Sequence, residues 1–132
     1  MTDKEIFDIK VIPIMNKVRE LLKKRAEVVF PQKLNKVSER IGVPYGKCKV
    51  NTRISKAWAF FIPSTRDIEI SLSAIQLPEE NLETLCVHEL MHNFSGEHDG
   101  LFWKKFRELG GQHLYQLDGT HDNHRKWPTL KL

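Results

Sequence analysis

Cysteine is nearly missing from this 132-residue sequence: Cys48 and Cys86 are the only two, and they lie far apart in the chain. That excludes a disulfide-stapled scaffold and a cysteine-built metal ribbon, and leaves each thiol as a small apolar side chain. Long apolar runs are also absent, so no membrane-spanning helix is predicted. The amino terminus, Met1-Thr2-Asp3-Lys4-Glu5, is polar and acidic where a secretory leader would be basic and then apolar; a cytoplasmic protein is expected. Methionine stops at Met91. No internal repeat or low-complexity segment breaks the chain, and its length and 40% apolar content predict one domain over residues 1–132, with its own core.

The hydrophobic periods that are present alternate between helix and strand. Val11, Ile14, Met15, Val18, Leu21 and Leu22 recur at helical spacing, so residues 9–30 are predicted to form a first long helix. Pro31 is suited to open a second, with Leu34, Val37 and Ile41 inward and Gly42 and Pro44 ending it. Period-two segments at 48–54, 57–62 and 67–72 predict three strands, the last two joined by the turn Pro63-Ser64-Thr65-Arg66. Residues 82–94 return to a helical stripe carried by Leu82, Leu85, Cys86 and Leu90. Asp99 is a suitable cap for a further helix over 100–109, closed by Gly110-Gly111. The expected fold is α+β: amino-terminal helices, a three-stranded antiparallel sheet and two further helices.

Chemistry is concentrated in His88-Glu89-Leu90-Met91-His92 and the following His98. Histidines four apart on a helix share a face and can point at one ion, while Glu89, one residue round, reaches the ion's open side. Gly96 is able to take the positive φ that turns a chain back, which would return His98 to the same ion. Three neutral imidazoles and a water make the open four-coordinate arrangement of a hydrolytic zinc, in which the water's pKa falls to roughly 7. Glu89 would then take the water's proton and pass it to the leaving group. An alternative third ligand is Glu108, which falls in a charged stretch of the next helix. The same three histidines could instead serve a metal-dependent nuclease, or hold zinc in a nucleic-acid-binding domain without turnover.

The run Val87 to His92, then His98, then Phe102-Trp103, resembles the SprT-like and YgjP-type zinc metallopeptidases, whose motif is H-E-L-x-H with a third histidine before an aromatic pair. Upstream, Arg53 to Trp58 and Asp67-Ile68-Glu69-Ile70-Ser71-Leu72 resemble the group's tryptophan-bearing strand and the strand after it. The resemblance implies a zincin-like fold with His88, His92 and His98 as zinc ligands and Glu89 as the catalytic base. It also implies a protein or peptide substrate laid along an edge strand, either 67–72 or the strand before it. Two departures stand out. Trp58 is followed by Ala59-Phe60-Phe61 where the YgjP type usually has Gly-Ser-Cys, and no cysteine ribbon follows. Metzincins and YbeY-type ribonucleases share the histidine spacing but place glycine where this chain has Ser95. Metzincins further need a downstream methionine, and the YbeY-type motif lacks the glutamate.

Charge is unevenly spread. Residues 1–56 hold 14 Lys and Arg against 6 Asp and Glu, while the remainder hold 7 against 11. The basic half could contact DNA through phosphates, a use the family resemblance supports because SprT-like proteins include proteases of DNA-crosslinked proteins; a solvated helix face is the plainer reading. The tail, 110–132, could lie over the cleft. It carries His113, His121 and His124 with Asp118 and Asp122, enough for a second metal site, and His113, Tyr115 and Arg125 are candidates to stabilise an oxyanion.

Overall fold

A computed structural model describes residues 1–53 and 57–118 of the chain. A short helix α1 (Asp3–Ile6) runs through a π turn (Phe7–Val11) into α2 (Ile12–Ile41). Two helices were expected here, broken at Pro31; the structure has one, with Pro31 inside it. Proline lacks only one backbone donor and its fixed φ is helical, so a helix can run through it when packing on both sides repays the lost bond. Phe30 and Leu34 flank Pro31, and both are fully buried with Ala26 and Val37 on the core-facing line. The helix ends where the sequence predicts: Gly42 adopts φ 72°, and the Gly42 and Val43 amides both donate to the Ser38 carbonyl.

Three strands follow, β1 (Cys48–Asn51), β2 (Ala59–Ile62) and β3 (Asp67–Ser71), in the spatial order β1-β3-β2. β2 and β3 form the expected antiparallel hairpin, but β1 pairs with β3 in parallel, so the sheet is mixed rather than antiparallel. Alternation of apolar and polar residues reports which face is buried and is blind to strand direction, which is why the sequence missed this. Registers Cys48↔Ile68, Val50↔Ile70 and Phe61↔Ile68 put these side chains on one face, while Lys49, Glu69 and Phe60 share the other. The strand expected as one candidate edge, β3, is therefore the centre of the sheet, and β2 is an edge.

Gly46 and Asp67 set the entry to β1. The Gly46 amide donates to the Arg66 carbonyl at 2.9 Å, and the Lys47 amide donates to Asp67 Oδ1 at 2.8 Å. A Cβ on Gly46 would lie 2.3 Å from Asp67 Oδ1 and 2.5 Å from the Thr65 carbonyl, so no larger residue fits without moving backbone.

After a 3-10 turn (Leu72–Gln76), helix α3 (Glu79–Met91) crosses the core with Leu82, Leu85, Cys86 and Leu90 all buried. Lys33 and Arg40 of α2 form ion pairs with Glu79 and Glu83 of α3, fastening the two helices. Helix α4 (Gly100–Lys105) passes through a π turn (Phe106–Gly110) into α5 (Gln112–Asp118). Gly110 approaches α3 so closely that a Cβ would stand 2.7 Å from Val87 Cγ1. No disulfide links the cysteines; burial raises both thiol pKa values, Cys48 to about 11. Among the described residues, no helix is long and apolar enough to cross a membrane.

Candidate metal site

The buried stripe of α3 fixes which way its histidines point. Because Leu85, Cys86 and Leu90 hold one side against the core, His88 and His92 emerge one turn apart at the carboxyl end of the helix, on the side facing α4. The helix stops at once. His92 is its cap, and Asn93 Nδ2 donates to the carbonyls of Leu90, at 2.9 Å, and Pro44, at 3.0 Å. The chain then turns through Ser95 to Glu97 and brings back His98.

Gly96 does not make this turn by a positive φ; among the described glycines only Gly42 and Gly111 have one, and a Cβ on Gly96 would touch nothing within 4 Å. Ser95 does the work instead. Its carbonyl accepts from His92 Nδ1 at 3.0 Å, and its hydroxyl donates to Asp99 Oδ2 at 2.8 Å. Asp99 caps α4 as expected, its Oδ1 accepting from the Phe102 amide at 3.0 Å.

The result gathers one nitrogen each from His88, His92 and His98 within 4.8 Å of one another, a group that could hold a metal ion. Phe102 lies fully buried beneath, its ring centroid 4.9 Å from each of the three imidazoles, and Trp103 stands 6.1 Å from those of His88 and His98. These aromatics form the floor. His88 is buried, His92 half-buried and His98 exposed, so the group opens to solvent on the His98 side.

Burial lowers the pKa of His92, with the neighbouring His88 adding to the effect. The Ser95 carbonyl can only accept, so His92 Nδ1 carries the proton and Nε2 keeps its lone pair. His88 Nδ1 lies 2.6 Å from Asp118 Oδ2, a carboxylate at the end of α5 that is itself 1% exposed, and its Nε2 lies 2.8 Å from His98 Nε2. Glu89 is buried beside these groups. Burial pushes its carboxyl up to about 8, and the Asp118 charge adds to the rise.

Of the residues singled out in the sequence, Glu108 is exposed and pairs with Lys104 and Lys105, outside the histidine group. His113 bonds Glu80 Oε1 at 2.8 Å, and Tyr115 packs against Trp103 and Phe106. Asp118, offered as part of a second metal site, belongs to His88 instead. His121, Asp122, His124 and Arg125 lie outside the described residues, as does most of the segment expected over the cleft. Sequence reasoning gave Ser95 no role and Asp118 the wrong one. An aspartate thirty residues from its histidine carries no spacing signal.

A search of curated proteins and a search of solved structures return no match. A family model for the YgjP-like metallopeptidase domain matches residues 13–112, from the start of α2 through α4 and its π turn, and does so although Ala59-Phe60-Phe61 departs from the usual strand. With most of its length covered by that model, including the helix and turn that gather the three histidines, the chain belongs to the YgjP-like metallopeptidase family.

Proposed function

We propose that this protein is a zinc-dependent peptidase whose metal ligands are His88, His92 and His98 and whose general base is Glu89. The observation that carries the reading is the convergence of three imidazole nitrogens beside a buried glutamate, in a chain of a metallopeptidase family. The donor set fits one zinc ion. It is all imidazole, His88 and His92 each turn Nδ1 to a hydrogen-bond acceptor and so leave Nε2 for the ion, and the group is open on one side. When bound, zinc supplies Lewis acidity, polarising a carbonyl and acidifying a water.

The chain's own residues do the rest. Glu89 takes the proton of the attacking water and delivers it to the leaving amine. Asp118 holds His88 in one tautomer and orientation, and the Ser95 carbonyl does the same for His92. Phe102 keeps the three rings from folding back into the core. The substrate is an extended peptide laid along β2, the edge strand that also packs against α3; Phe61 of β2 has its ring 6.0 Å from that of His92. The domain works as a single unit, because ligands and floor come from consecutive elements.

Glu89→Gln tests this directly. The variant should bind zinc with unchanged stoichiometry while hydrolysis of casein falls by about 10²- to 10⁴-fold. Turnover at the wild-type rate would overturn the reading.

A further inference from the structure

Strand β2 pairs with β3 along one edge, and among the described residues no strand pairs with the other. Backbone parity fixes which groups that open edge offers. The Ser71 amide donates to the Trp58 carbonyl at 2.8 Å, one step along the register Ala59↔Ile70, so Trp58 and Ser71 form a hydrogen-bonded pair of the antiparallel ladder. Such pairs alternate, so Phe60 and Ile62 likewise turn their amides and carbonyls toward β3. Those of Ala59 and Phe61 point the other way, out of the sheet. A peptide added at this edge finds two donors and two acceptors, at every second residue of β2.

Side chains sort by the same alternation. Phe61 shares a face with Ile68, which is fully buried, and its own half-buried ring lies 6.0 Å from that of His92. A substrate residue level with Phe61 therefore lays its side chain against the Phe61 ring, next to the histidine group, in whichever direction the peptide runs. Its two neighbours fall on the opposite face. There Phe60 is 38% exposed and Lys49 is exposed as well, so a charge placed on that face stays in water.

The two faces thus select differently. A polar or charged side chain level with Phe61 gives up water against an aromatic ring, whereas a large apolar one gains contact area and ring packing. We infer that Phe61 is a specificity-determining residue: it selects a large apolar side chain in the substrate residue level with it, while the residues on either side of that one go unselected. The substrate class is then an extended segment with a bulky apolar side chain close to the cleaved bond, of the kind that a folded protein keeps inside and an unfolded one exposes. The inference rests on the peptidase reading and on the placement of the substrate along β2.

The zinc-loaded full chain is assayed on peptides in which each position around the cleaved bond is varied in turn among Phe, Leu, Ser and Asp. One position should favour Phe and Leu over Ser and Asp by roughly tenfold in kcat/KM, and in Phe61→Ala that ratio should collapse toward one at unchanged zinc stoichiometry. Equal cleavage of all the peptides overturns the inference and leaves the peptidase reading standing, as does a preference that survives Phe61→Ala. Cleavage of no peptide by the wild type overturns both. Should Phe61→Ala unfold, Phe61→Leu decides: loss of the ring should lower the preference for Phe relative to Leu by about threefold, and an unchanged ratio overturns the inference.

Discussion

Asp118 is the residue whose importance the sequence hides most completely. Its carboxylate lies 2.6 Å from His88 Nδ1 in a nearly dry environment, where a charged acceptor fixes both tautomer and ring orientation. Asp118→Asn should weaken zinc binding by about 10- to 100-fold, measured by competition with a chromophoric chelator, while far-UV dichroism of the apoprotein stays unchanged. An unchanged affinity would reduce Asp118 to a packing residue. At this scale the histidines were legible because their chemistry is local: His88 and His92 sit one helical turn apart, and His98 follows within one turn of chain. Their supports were not. Ser95 acts through its carbonyl as well as its hydroxyl, and a carbonyl leaves no mark on the side-chain alphabet.

Among the elements, α2 shows how packing overrides a local rule. Pro31 reads as a helix start, yet Phe30 and Leu34 are buried on either side of it and keep the helix running. The structure therefore carries a helix with one missing donor. Pro31→Ala should restore the bond to the Glu27 carbonyl and stabilise the chain by about 2 kcal/mol after the looser unfolded chain is allowed for, read as a higher urea midpoint with unchanged slope. A lower midpoint would mean that the ring's own contacts outweigh the missing bond. Sheet topology was illegible for a different reason. Strand periodicity names the buried face, and only the pairing of β1 with the far side of β3 decides its direction.

Across the whole molecule, Asp67 couples fold to pH. The Lys47 amide and then Lys49 and Thr65 hold its carboxyl below the usual range, so the folded state favours the ionised form. Its contribution is complete above the ordinary carboxylate pKa of about 3.9 and is lost as pH falls through its own lower value. Asp67→Asn should lower the thermal midpoint at neutral pH and narrow the gap to wild type as the pH falls below the ordinary carboxylate range, and a gap that is constant with pH would exclude this role. By itself the sequence determined the α+β class, the helix that bears His88, Glu89 and His92, and the nearness of His98, because these follow from periods of 3.6 and 2 and from short spacings. Only the tertiary structure decided that α2 is one helix, that β1 lies parallel to β3, and that Asp118 reaches His88. Each joins groups distant in sequence, and no local pattern encodes which distant surfaces will share a core.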